Sequence, residues 1–570
     1  MNGHQVHYEL FVRRTPGAPW KLDMASESRS QVVESAELML KEGRVAAVRV
    51  TKETLDPETR EFSSVTILTK GNTQEAPKRK VIEDREPLCV APADLYSVHA
   101  RDRIGQVLSG WLDRQRATPF ELLHRPDLVE KLDASGVEMQ HAIQKIAIPE
   151  AQARGLSVHE LIRSFQSLIE RAVSRVLADA RRGSFPNLDR EGFDTAVERL
   201  VDEPEAAYLL GAGVASSLAW ERSWSDKITR LLDLAQAAPE KLGPRRLAFH
   251  VLEQPLAEIL ESRHAGAELL GQDLDLGGRL AAMTRLADNK TVDALARIEP
   301  LVARHMPPLA GPALRLAGWL AEPCFDHARA AVGRLILREL KGPKRLRPTD
   351  PVQEIELLRA LGMSLTAASG QLLPADNVQE AFIARSRMLV SSEFVGSLLG
   401  QDIAAREETE RLIWLAENVI GAANKREAAR YLSAQLGSLR LEKDLRNGAE
   451  TPSAKLAALA ALQKSVARVG LVPEDCGPLQ ARFGDLGGLI EADVKLTAAL
   501  VQAEAPLAHR LTLLLRLAGA EAAPFGPAAD RARLAAMKLL RSKTALAELA
   551  GAPDKLVEVR ELIQAAGLAA

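Results

Sequence analysis

Cysteine, aromatic residues, net charge and long apolar runs are all scarce in this chain, and each shortage removes a class of protein. Only three cysteines, Cys89, Cys324 and Cys476, occur in 570 residues, and they stand far apart. They form no Cys-x-x-Cys and no Cys/His cluster, so neither a disulfide framework nor a zinc knuckle is indicated. A reducing compartment fits that usage. Aromatics make up 4% of the chain, so large rings are few. Lys+Arg total 74 and Asp+Glu 76, a net charge of -2, which excludes a polybasic nucleic-acid protein and an acidic solvating tail. A local basic patch stays open. No uncharged apolar stretch approaches the length of a membrane span. The opening residues, MNGHQVHYELFVRR, place charge and Glu9 where a signal peptide needs an apolar run, and no lipid-anchor motif occurs. The expected location is the cytoplasm, without membrane insertion. The Ala/Leu/Arg/Glu-rich usage is of a bacterial kind.

What is present is pattern. At about 150 residues per domain, the length fits about four domains or one long repeat array. Residues 1–70 differ from the rest. His7–Arg13 alternates, with Tyr8, Leu10 and Val12 on one face and Phe11 on the other, so both faces of this strand are expected to be partly covered. A short strand over Trp20–Leu22 is expected after the Pro16-Gly17 turn. A helix follows over Ser28–Glu42, closed by Gly43. Valine-rich Arg44–Thr51 and, after the Asp56-Pro57 turn, Phe62–Thr69 complete a ββαββ module. Residues 71–92 carry Pro, mixed charge and little periodicity. They read as a linker, with Pro92 a good helix start beyond it.

From about residue 93 the pattern is helical throughout. The divisions expected are a helical domain over 93–195 and a helical repeat array over 196–570. Ser157-Val-His-Glu160 is a capping box, and Leu161, Phe165, Leu168, Ala172 and Val176 follow as one apolar stripe. The fold class expected is therefore mainly α, with a small N-terminal α+β module followed by a long tandem-repeat region, solenoid-like or multi-bundle.

The repeat is visible as self-similarity. ILESRHAGAELLGQD at 259–273 and MLVSSEFVGSLLGQD at 388–402 match without a gap at seven of fifteen positions. LLRSKTALAELAG at 539–551 matches the first at Leu540, Ser542, Ala545, Ala547, Glu548, Leu549 and Gly551. LVDEPEAAYLLG at 200–211 is a weaker copy, and LGSLRLEKDLRNG at 436–448 a degenerate one. Ser262, Ser391, Ser542 and Asp202 fit N-caps, because their oxygens accept from first-turn amides. Gly271, Gly400, Gly551 and Gly211 fit left-handed positions after the helix.

Candidate sites are sparse. Glu121/His124 and Glu261/His264 are Glu-x-x-His pairs of the kind used by carboxylate-bridged dimetal bundles. Pro126 stops the first of these helices too early, and sister copies of the second carry Glu393 and Thr544. No metal or cofactor site is assigned. Gly211-Ala-Gly213 and Gly484-Asp-Leu-Gly487-Gly488 lack a preceding strand, so they read as helix terminations and not as dinucleotide loops. Lys341-Gly-Pro-Lys-Arg-Leu-Arg347 is the densest basic run. With no interleaved aromatics, it reads as a solvated loop, as does Lys78-Arg79-Lys80. Trp220 and Trp224 lie one turn apart and are expected to cover a seam between repeats.

Three functions follow in order. The first is a non-catalytic interaction scaffold for a protein partner, with the N-terminal module as a second contact or regulatory domain, by strand addition for example. The second is an enzyme with a site assembled in a helical groove, for which His124, Glu121, His141 and His159 are first candidates. The third is a weak nucleic-acid binder through Lys344, Arg345 and Arg347. No catalytic residue is assigned.

Overall fold

The computed structural model describes residues 6–15, 18, 20–55, 62–71, 86–262, 264–369, 372–542 and 553–568. The turns at Pro16-Gly17 and Asp56-Pro57, the run Lys78-Arg79-Lys80, residues 72–85 of the expected linker and most of the 539–551 copy lie outside the described residues. The chain divides into two compact units, Met1–Leu88 and Cys89–Ala570. It is mainly helical, and among the described residues its sheet is confined to the first unit.

In the first unit, β1 (Val6–Arg13), β2 (Lys21–Ser26), β3 (Ala47–Leu55) and β4 (Phe62–Gly71) form an antiparallel sheet in the order β2-β1-β3-β4. The alternation in β1 sets its register: Leu10 lies opposite Val50 and Val12 opposite Val48. These four residues are buried against Val32 and Ala36 of α1 (Arg29–Lys41). The Ser28 hydroxyl caps α1 by accepting from the Gln31 amide, and Gly43 follows at φ +67°. β2 starts later and runs longer than the expected Trp20–Leu22. As an edge strand it exposes Lys21, Leu22 and Asp23, so it has no burial alternation to read. On the face away from α1, Phe11 pairs with Arg49, and the Trp20 ring has the Arg13 and Arg49 guanidinium carbons at 4.5 and 4.3 Å.

The second unit is built on hairpins of an A helix and a B helix, most followed by a short C helix. The first set is Trp224–Gln236, Leu242–Glu261 and Ala265–Leu270. The second pairs Leu276–Ala287 with Asp326–Lys341, with three further helices between them. Then come Pro351–Ala367, Ala375–Leu389 and Ser392–Leu399; Ala405–Asn418, Ala422–Leu436 and Leu439–Asn447; and Pro452–Arg468, Pro473–Val494 and Leu496–Gln502. The last pair is Leu507–Ala518 and Pro527–Leu540. The helix Pro553–Ala565 packs against Leu507–Ala518. Each B helix packs on the next, and one continuous apolar core runs from Phe120 to Ala566.

The motif copies at 259–273, 388–402 and 436–448 are the entries into C helices. Ser391 accepts from the Phe394 amide at 3.3 Å and Ser438 from the Leu441 amide at 3.2 Å. Ser262 instead accepts from the His264 amide, ahead of the helix start. Gly271 and Gly400 have φ of +120° and +70°, but with extended ψ, so they redirect the chain without a left-handed cap. The weak copy at 200–211 is not a C helix. It crosses from Phe193–Leu200 into Ala206–Leu218, and Gly211 sits inside the latter helix. The C helix Leu496–Gln502 had no visible signature, because Lys495 stands where a serine cap would, and Glu491 accepts from the Thr497 amide instead.

The glycine runs read as terminations are mid-helix contacts. A Cβ on Gly211 would lie 2.6 Å from His124 Nε2, and one on Gly213 2.7 Å from Pro186. Within Pro473–Val494, a Cβ on Gly484 would lie 2.3 Å from the Phe525 carbonyl oxygen, and one on Gly487 2.4 Å from Pro524. Missing side chains here let a neighbouring loop or ring lie directly on helix backbone.

Candidate functional site

A buried polar cluster is organised by the six-residue helix Pro119–His124. Its start is over-determined: the Thr118 hydroxyl accepts from the Glu121 amide at 3.2 Å, and Glu121 Oε2 accepts from the Thr118 amide at 3.1 Å. This capping box, with Pro119 at the first helical position, is legible in the sequence as Thr-Pro-Phe-Glu. It gives Glu121 a structural duty.

Glu121 is fully buried. Lys227, from the first A helix, donates to its two oxygens at 2.8 and 2.7 Å, and Arg125 donates to Oε1 at 3.1 Å. Lys227 also donates to the Arg116 carbonyl. Burial holds the Lys227 amine below its ordinary range, against the opposing pull of Glu121. Next to this pair, Arg101 donates to Glu258 at 2.7 Å, and the Phe120 amide donates to the other oxygen of Glu258 at 2.7 Å. No sequence signal announces Lys227 or Glu258, because their partners lie more than a hundred residues away.

His124 is equally committed. Its Nδ1 is 2.7 Å from the Phe120 carbonyl oxygen, an i to i-4 bond in which the ring donates. The ring centroid lies 4.4 Å from that of Phe120, 4.9 Å from Tyr96 and 5.8 Å from Tyr208. Burial lowers its pKa to about 4, so the ring is neutral at pH 7. Its other nitrogen abuts Gly211, which leaves no room for a metal at that atom. Tyr208 completes the wall. Its hydroxyl donates to Asp179 at 3.0 Å, and the Arg175 guanidinium lies 4.0 Å over its ring. Burial pushes the hydroxyls of Tyr96 and Tyr208 up.

The other candidate catalytic residues do not join this cluster. His141 and His159 are exposed on the helices Val137–Arg154 and Val158–Arg181. Glu261 pairs with Arg334 at 2.6 Å, while exposed His264 lies 3.9 Å from Asp113. Among the described residues no group of three or more His, Cys, Asp or Glu is placed to hold a metal ion.

The basic run near Lys344 is not simply a solvated loop. It occupies the place of a C helix in the second hairpin, and Leu346 is fully buried. Glu354 accepts from the Leu346 amide at 2.9 Å and from Arg345 at 3.0 Å, and Arg345 also covers the Phe394 ring at 4.7 Å. Arg347 bonds Gln353 and approaches Asp275, and Lys341 pairs with Glu380 at 2.8 Å. From the next B helix, fully buried Arg385 donates to the carbonyls of Glu339, Leu340 and Lys344. The arginines read as basic charge are mostly joints between hairpins. The two tryptophans part company: Trp224 is 4% exposed, while Trp220 is 83% exposed.

Comparison with protein-family models, curated proteins and solved structures finds no match for this chain.

Proposed function

We propose that the chain is a non-catalytic, cytoplasmic interaction scaffold that recruits a protein partner through the helical array. The observation that carries this reading is where large apolar side chains remain exposed. Trp220 (83%), Leu439 (83%), Ile298 (73%) and Leu242 (66%) all sit at helix junctions: the last three are the first or last residue of a helix, and Trp220 lies in the turn between Ala206–Leu218 and Trp224–Gln236. Stacked hairpins bury their faces against one another, so their junctions are left along the edges of the stack. An exposed tryptophan is the residue type most often found as an interface anchor. The buried ionisable groups near Glu121 and Lys344 serve packing, which favours a binding role over chemistry. Three unpaired cysteines and, among the described helices, none long and apolar enough to cross a membrane accord with a reducing cytoplasm. The N-terminal module adds a second contact: β4 is a ten-residue edge strand, with no strand paired on its outer side among the described residues.

The test is co-purification from native lysate of the source cell at physiological salt. A discrete protein retained by the full chain, reduced at least tenfold by Trp220→Ser with an unchanged circular dichroism spectrum, is the expected result. Deletion of residues 1–72 measures the contribution of the module. A stoichiometric metabolite or nucleotide with no protein partner overturns the reading.

A further inference from the structure

The C helix Leu496–Gln502 differs from its sister helices in what surrounds it. Between it, the end of Pro473–Val494 and the B helix Pro527–Leu540 lies an open cavity of about 630 Å³. That volume is in the range of small-molecule sites, roughly 300–1,000 Å³. Its apolar lining is Val501, Leu534 and Leu539 with three alanines, whose small size makes the space. Its charged lining is Lys495, Lys538, Arg531 and Glu491.

The charge does not balance. Among the described residues Glu491 is the single carboxylate in the lining, and it is already taken by Arg531, which also donates to the Gly488 carbonyl at 2.7 Å. The ammonium groups of Lys495 and Lys538 have no ion pair among the described residues. Lys495 stands at φ +50°, at the junction where two sister C helices carry a serine cap. A second observation is independent of charge. Thr497 lines the same cavity and is 8% exposed, yet its buried hydroxyl has no hydrogen-bond partner among the described residues. Its amide is already satisfied by Glu491 at 3.1 Å, so the cap does not account for the hydroxyl. Buried hydroxyls are ordinarily bonded; this oxygen is closed to solvent, so it meets a ligand atom only when the Thr497 side chain turns toward the cavity.

We propose that this cavity binds a small anionic amphiphile: a carboxylate or phosphate head on a short aliphatic chain. The head pairs with Lys495 and Lys538, and accepts from the Thr497 hydroxyl once that side chain has turned to the cavity. The chain covers Val501, Leu534 and Leu539, removing apolar surface from water. The site is separate from the junction edges described above, and its test does not depend on a protein partner.

Calorimetric titration of the full chain with octanoate, octyl phosphate and octan-1-ol tests this. The expected result is one saturable site for at least one of the anions. The alcohol binds at least tenfold more weakly, and the anion's affinity falls as salt rises. The double variant Lys495→Gln/Lys538→Gln loses at least tenfold in affinity for the anion, and Thr497→Val loses severalfold. Ala535→Phe fills the cavity and abolishes binding with all charges kept. Circular dichroism confirms that each variant is folded. Absence of saturable binding by both anions overturns the proposal. Equal binding of the alcohol overturns it too, as does wild-type affinity in the lysine double variant or in Ala535→Phe. The relative affinity of octanoate and octyl phosphate identifies the preferred head.

Discussion

At the scale of single residues, the molecule is governed by what happens to charge taken out of water. Glu121 and Lys227 are 106 positions apart and meet with both side chains almost fully buried. Lys227→Met removes the cation that bonds both Glu121 oxygens and leaves Arg125 alone to face the buried carboxylate, so it is expected to destabilise by up to about 3–5 kcal/mol. Pairing it with Glu121→Met restores only a part of that loss: the desolvation penalty goes with the charge, but the cap on the Thr118 amide and the bond from Arg125 go with it too. Urea unfolding of the two variants measures the difference. His124 makes a second prediction, in pH. Its pKa is about 4 when folded, against an ordinary 6.5. As pH falls through that window the unfolded chain takes up the proton first. The stability this ring confers is therefore complete above pH 6.5 and is lost progressively down to pH 4. The gap corresponds to roughly 3 kcal/mol. His124→Phe should flatten that segment of the stability profile, read by hydrogen exchange in Pro119–His124. The pair Glu121/His124 was visible in the sequence as a possible metal motif. Its real duty was legible too, in the capping box Thr118–Glu121, but the partners that settle it were not, since nothing in the sequence links residue 121 to residue 227.

At the scale of elements, glycines do two opposite things that a linear reading cannot separate. Gly484 and Gly487 are where the loop Pro524–Pro527 lies on helix backbone. Gly396 lies in the C helix Ser392–Leu399, exposed, with nothing within 4 Å of an added Cβ. The same change should therefore have opposite signs. Gly484→Ala forces a backbone carbonyl aside and is expected to cost about 1–3 kcal/mol. Gly396→Ala gains up to about 1 kcal/mol of helix propensity. Thermal melts of the two variants compare them. Arg385 is a further joint. It holds three carbonyls at and just beyond the end of Asp326–Lys341, so Arg385→Met should cost about 2–4 kcal/mol, since hydrogen bonds from a charged group are worth more than neutral ones. The C helices at 391 and 438 were readable because serine caps are local chemistry. The one at 496 was not, because its cap is supplied by Glu491, on the preceding helix.

At the scale of the whole molecule, the helical unit is held by neighbour-to-neighbour stacking of B helices. Coupling of that kind decays along the array. Deletion of residues 553–570 removes the helix that covers Leu507–Ala518. Hydrogen exchange should quicken strongly in Leu507–Ala518 and Pro527–Leu540 and remain unchanged in Trp224–Gln236 and Leu242–Glu261. Uniform acceleration along the chain would show a single cooperative block instead.

The helix and strand content, the ββαββ order, the capped C helices and the absence of a metal-ligand pattern in the cysteines were all determined by the sequence alone. Each is a matter of periodicity or of a cap within four residues, where chain connectivity brings the interacting groups together. Four things were decided only by tertiary structure: the committed state of Glu121 and His124, the buried role of the loop at Lys344–Arg347, the packing duty of the glycine pairs, and the unbalanced charge around Lys495 and Lys538. Each depends on a partner tens of residues or more away, and only folding sets which groups share a volume from which water has been removed.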